Sequence, residues 1–258
     1  VSELRRLPLE GARFGFFCRP FLAASGPHAG KVLKLYRGGR REEAEALAQA
    51  HRLYVDKLRR LGILVPPTTM EVLAWGRGYR VQIVQEPFPI ELHARTLVQR
   101  GEPAAGRAIV RGILEDALKV IGHNQATGEE IGFHPTLRNY FVRDSRFFMV
   151  DTFPPMAGGR RQVKAIVAAQ VGLGGAGPLG DWLMDLVTEE YYDPLRMLFG
   201  VLASAARLRP ELAEDFFAQA RQVFEERATG EMRQLLLEEG RKLRPSRQHF
   251  LVRLFKRQ

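Results

Sequence analysis

One cysteine, Cys18, stands in 258 residues. That excludes an internal disulfide framework and a cysteine-based zinc site, and it suits a reducing compartment. The six histidines show neither H-x-x-x-H nor H-E-x-x-H spacing, so a zinc centre is not expected. The longest apolar stretch, "AIVAAQVGLGGAGPLG", is broken by Gln170 and by glycines and makes a poor membrane span. No signal-like apolar block opens the chain. The expectation is therefore a soluble, cytoplasmic protein. There is no low-complexity block and no internal repeat. At 45% hydrophobic and 26% charged residues, the composition is that of a globular protein able to bury a core.

Acidic residues are missing from one region. The last 18 residues, "RKLRPSRQHFLVRLFKRQ", hold seven Lys or Arg and no Asp or Glu, within a chain whose net charge is +10. Two readings are open for this tail. It suits an anionic partner: nucleic acid, phospholipid or an acidic protein. It also suits a solvated terminal helix whose Phe250, Leu251, Leu254 and Phe255 pack on the body.

What is present begins as β structure. "RFGFFCRPFLAA" and "KVLKLYR" read as strands, with "SGPHAG" as the turn between them. Alternation puts Lys34 on the face opposite Leu33 and Leu35. "REEAEALAQAHRLYVDKLRRLGI" is an amphipathic helix with Leu47, His51, Tyr54, Leu58 and Leu61 on one face. Gly62 ends it and Pro66-Pro67 forbid its continuation. On the same wheel Glu43 lies one turn before Leu47, on the inward face. Two strands follow, "TTMEVLAW" and "YRVQIVQE", joined by "GRG". From Pro87 the pattern becomes helical, over residues 90–100, 103–123, 181–203, 210–228 and 230–241. Asp193-Pro194 reads as a helix N-cap followed by proline in the first turn.

The exception among these helices is "GFHPTLRNYFVRDSRFFMVDTFPP", residues 132–155. It reads as a loop, a strand, a tight turn and a second strand ending in an acid. Such a hairpin brings Asn139 and Asp151 together, and an amide oxygen beside a carboxylate suits a hard divalent cation such as Mg²⁺.

The order strands, helix, strands, connector and helices bearing a hairpin resembles the protein-kinase-like fold. Over about residues 10–205 the chain is similar to that superfamily's aminoglycoside and small-molecule phosphotransferase branch, of which "LGILVPPT" before the third strand is also typical. The resemblance implies a two-lobed α+β protein. A small β-rich lobe with one helix would cover residues 1–86. A mainly helical lobe, carrying the hairpin and the basic tail, would cover 87–258. It implies ATP and Mg²⁺, with Lys34 on the phosphates and Glu43 steadying that lysine. Backbone groups near Glu86, in "QEPFP", would contact adenine. Asn139 and Asp151 would hold the metal, and the phosphate acceptor would be a hydroxyl of an unidentified small molecule or protein.

The chain departs from the family at two points. The kinase pattern H-R-D-x-x-x-x-N puts an aspartate five residues before the asparagine, and here that position is His134. A neutral imidazole can accept a proton near pH 7 but lacks the fixed negative charge that orients a hydroxyl beside Mg²⁺. Two functions remain open: a phosphotransferase with His134 as base, or a non-catalytic relative that binds nucleotide and acts through a partner. Secondly, "EGARFG" offers Gly11 and Gly15 but no G-x-G-x-x-G. "GLGGAG", residues 172–177, matches that pattern formally, but Pro178 follows at once and no βαβ array surrounds it. "GPHAGK" is one residue short of a P-loop and has Val32 where Ser or Thr is needed.

Overall fold

A computed structural model describes residues 6–8, 17–172 and 177–242. The turn glycines Gly11 and Gly15, most of "GLGGAG" and the basic tail after Lys242 lie outside the described residues. In chain order the strands are β1 (Arg6–Pro8), β2 (Phe21–Ala23), β3 (Val32–Gly39), β4 (Thr68–Trp75), β5 (Gly78–Gln85), β6 (Tyr140–Arg143) and β7 (Arg146–Met149). The helices are α1 (Arg41–Arg60), α2 (Ala94–Arg100), α3 (Pro103–Thr127), α4 (Gly159–Val171), α5 (Gly177–Glu189), α6 (Pro194–Leu208), α7 (Ala213–Arg227) and α8 (Gly230–Lys242). The fold class is α+β, with a small antiparallel sheet and a mostly helical remainder.

The chain forms two compact units. The first takes the described residues up to Ile90 and also Glu130–Gly132 and Phe148–Glu189. The second takes Glu91–Glu129, Phe133–Phe147 and the described residues from Glu190 on. The two returns of the chain to the sheet unit, which bring α4 and α5 with them, were not part of the expectation.

The first unit holds the five-stranded sheet, ordered β1-β2-β3-β5-β4 and antiparallel throughout. β2 is shorter than the aromatic run suggested, because Pro20 has no N–H to give to a ladder and pairing starts only at Phe21. β4 and β5 close around Gly76-Arg77, with Gly76 at φ 59. One sheet face packs Phe21, Ala23, Leu33, Leu35 and Val84 together, with Trp75 at the margin. Helix α1 buries Ala44, Leu47, Ala48, His51, Tyr54, Val55 and Leu58, one stripe at helical spacing, and contacts β3, β4 and β5. It approaches the end of β3 so closely that a Cβ on Gly38 would lie 2.5 Å from the Ala44 Cβ. Gly62, at φ 75, ends the helix as its sequence indicated. Its N–H bonds to the Arg59 carbonyl and that of Ile63 to the Leu58 carbonyl.

The second unit is built around α3, against which α2, α6 and α7 pack. Ile109, Val110, Ile113, Leu114, Ala117 and Val120 are the buried ridge of α3. The span expected as one helix over 181–203 is broken. α5 ends at Glu189, and α6 begins at Pro194 after Asp193, whose carboxylate accepts from the Arg196 N–H at 2.9 Å. Proline supplies no N–H and disfavours helical geometry in the residue before it, so a continuous helix could not pass this point. Helix α4 was not expected at all. Its glycine-rich sequel masked a stripe in which Val163 and Val167 are buried one turn apart.

Candidate functional site

Lys34 and Tyr36 are two residues apart on β3 and so share one face of the strand. Lys34 is 8% exposed, and a lysine that deep requires partners for its ammonium. It donates to the Val150 carbonyl at 2.6 Å and lies 3.6 Å from a carboxylate oxygen of Asp151. The Asp151 side chain itself is 42% exposed, so one of the two charges stays in contact with solvent. Lys34 and Asp151, 117 positions apart in the sequence, are thus brought together within the first unit.

The two residues after Asp151 are held just as specifically. Thr152, 2% exposed, has its hydroxyl oxygen 2.7 Å from Nε2 of His51. The Phe153 ring stacks on Tyr36 with centroids 3.7 Å apart, and His51 meets the same ring edge-on. Asp151, Thr152 and Phe153 therefore each engage a different side chain of β3 or α1: Lys34, His51 and Tyr36. Burial depresses the His51 imidazole to about 3, and the Lys34 charge acts in the same direction, so the ring is neutral. Burial also pushes the Tyr36 hydroxyl well above its usual value and raises the Cys18 thiol.

Glu43 is not the partner of Lys34. It faces solvent at the start of α1, where it accepts from the Arg40 N–H at 2.8 Å and from the Arg40 guanidinium at 2.8 and 3.0 Å. The cause is its place in the first turn, where N–H groups have no helical acceptor and draw a carboxylate back along the axis. The Arg40 N–H, followed by the guanidinium, holds the Glu43 carboxyl below the usual range. The inward position one turn further along belongs to Leu47, and the polar group on that face is His51. Glu86 follows the end of β5, as expected for the connector, and its carboxylate pairs with Lys31.

In the second unit the structure brings His134 and Asn139 together. The Asn139 amide donates to the His134 carbonyl at 2.9 Å, and the Thr136 N–H donates to the same oxygen at 3.0 Å. Asn139 is 7% exposed, and this bond sets its side-chain oxygen, the atom a cation takes, on the other fork of the amide. His134 Nε2 lies 3.8 Å from a Glu190 oxygen, and its ring is 5.0 Å from that of Tyr191. The Phe133 N–H donates to the Tyr191 carbonyl at 2.7 Å, tying the loop to this stretch. Burial raises the Glu190 carboxyl.

The Asp151 carboxylate and the Asn139 amide each carry the kind of oxygen a hard divalent cation takes, and the Lys34 ammonium is the kind of group that takes a phosphate. Asp151 and Lys34 belong to the first unit, Asn139 and His134 to the second. Three contributors were not legible as such. Thr152 carries no motif signal in the sequence, and Glu190 has no spacing relation to His134. The helical wheel places His51 on the inward face, but nothing local to it signals a partner 101 positions away.

Among the described residues no helix is long and apolar enough to cross a membrane. A search of curated proteins found none that matches this chain. A family model does match, over residues 9–249, and its description is a family of unknown function, DUF6206; the chain belongs to that family.

Proposed function

We propose that this protein is a two-lobed, kinase-like binder of ATP and Mg²⁺ that transfers phosphate to a hydroxyl. The observation that carries this reading is the buried ammonium of Lys34 lying 3.6 Å from the carboxylate of Asp151. Burying a lysine on a strand is costly unless its charge is used, and a lysine beside a partly exposed carboxylate offers one group for phosphate and one for metal. Mg²⁺, when bound, supplies charge neutralisation at the phosphates. Lys34 binds and orients a phosphate, Asp151 gives oxygen to the cation, and Asn139 keeps the metal role that the resemblance implies. His134 is assigned as the proton acceptor for the attacking hydroxyl, with Glu190 beside it to favour the imidazolium once the proton has moved. The connector at Glu86 is assigned to adenine.

A second reading, nucleotide binding without transfer, is favoured by one specific observation: among the described residues Lys34 has no helix carboxylate, because Glu43 is engaged with Arg40. One experiment separates the two. Millimolar ATP with Mg²⁺ should raise the unfolding midpoint, since a ligand of the folded state stabilises it by mass action. The shift should be lost in Asp151→Ala. Turnover of ATP that disappears in His134→Ala while the shift persists identifies the transferase; a shift without turnover identifies the binder. Absence of any shift rejects both.

A further inference from the structure

We propose that His51 is a positioning residue: its imidazole, bonded to Thr152, fixes the segment that places the Asp151 carboxylate beside Lys34. The inference starts from a buried polar group. His51 is 1% exposed, and its Nδ1 has no hydrogen-bond partner among the described residues. A side chain that only filled space here would be better as leucine, which buries no polar atom. The compensating contact is at the other nitrogen, 2.7 Å from the Thr152 hydroxyl oxygen. A protonated ring would bring an unpaired N–H into the interior near the Lys34 charge, so the neutral ring is the one this environment holds.

Geometry makes Thr152 a lever. The carbonyl of Val150 and the carboxylate of Asp151 both face the Lys34 ammonium, and Thr152 is the next residue. Phe153, on the far side, is already anchored by stacking on Tyr36. The imidazole therefore sets the one residue between the ion pair and the aromatic anchor. Helix α1 thereby controls the site through a hydrogen bond to the Thr152 side chain, next in sequence to the acid. Lys34 finds its countercharge in Asp151 rather than in a carboxylate on α1.

Chemical labelling of Lys34 tests this without any nucleotide. Acetylation by an N-hydroxysuccinimide ester, read by mass spectrometry and normalised to the other lysines, reports how well the ammonium is held. In His51→Leu, Lys34 labelling should rise about fivefold, the effect of losing one net hydrogen bond. His51→Gln, whose amide can reach the Nε2 position, should restore most of the protection, which a merely space-filling role would not require. A folded His51→Leu that labels like the unaltered protein overturns the proposal, as does a His51→Gln no better than leucine. Where His51→Leu fails to fold, NMR of ¹⁵N-histidine in the unaltered protein decides. A slowly exchanging Nε2 proton with contacts to the Thr152 methyl is expected, and a freely exchanging one overturns the proposal. A second arm, ATP–Mg²⁺ binding by the same variants, rests on the proposed function. If labelling changes but the unaltered protein binds no nucleotide, the function fails and the positioning role stands. The opposite pattern, nucleotide bound but labelling unmoved, removes His51 and leaves the function.

Discussion

Protonating His51 would place a second positive charge near Lys34 where water does not reach. The folded-state value near 3 lies below the ordinary value of 6.5. As pH falls below 6.5 the unfolded chain gains a proton that the folded chain refuses, so stability declines with acidification down to about pH 3. The slope due to this one group is at most about 1.4 kcal/mol per pH unit. Urea unfolding at several pH values should show this component in the unaltered protein and not in His51→Gln; parallel profiles would contradict it. Lys34 was legible at this scale, since alternation with Leu33 and Leu35 sets its face in any regular strand. Glu43 was misjudged because a helical wheel treats a first-turn residue as an interior one, and free N–H groups there outcompete a distant ammonium. Glu43→Ala should accordingly lower the unfolding midpoint slightly and leave ATP–Mg²⁺ binding, measured by titration, unchanged. A loss of binding equal to that of Asp151→Ala would restore Glu43 to the site.

Elements end where the backbone runs out of partners, and α6 shows how sharply. Its N-cap, Asp193, satisfies the Arg196 N–H, and Pro194 needs no acceptor for an N–H it lacks. Asp193→Ala should cost about 1 kcal/mol, and Asp193→Asn much less, in denaturant midpoints at constant m-value. Equal losses in the two would mean that charge, not the hydrogen bond, is what matters. The Asp-Pro signal was visible in the sequence, yet helical periodicity on both sides invited one continuous helix. Periodicity reports which face is apolar and says nothing about continuity of the axis. The opposite error hid α4. Glycines from Gly172 onward break the apolar stretch, although they begin only where the helix has already closed with Gly172 in the left-handed region. The hairpin of β6 and β7 was the most readable element, because Asp144 and Ser145 both adopt positive φ in the two-residue turn that such a connection favours.

Over the whole molecule, chain order and contact order diverge. The first unit collects three separate stretches, and its site pairs a lysine and an acid 117 positions apart, which no local pattern can announce. The resemblance of layout brought those two residues into consideration; burial and distance then gave them partners. Charge is the one global property that sequence states completely, and it concentrates at one end. Residues 243–258 carry five Lys or Arg and no acid, so removing them takes the net charge from +10 to +5 and leaves α8 intact. We expect this tail to supply the chain's affinity for polyanions. If its five charges meet phosphates, the slope of log K against log salt for duplex DNA should flatten by about 4.5 on deletion, following the release of about 0.9 counterion per contact. Anionic vesicles offer a parallel surface, on which each basic residue near the headgroups contributes about 1 kcal/mol. A truncated chain that keeps both its affinity and its salt slope would place any polyanion binding on the folded units instead. Because deletion leaves Lys34 and Asp151 untouched, ATP–Mg²⁺ binding by the truncated chain should be unchanged, and a joint loss would mean that the tail folds onto the site.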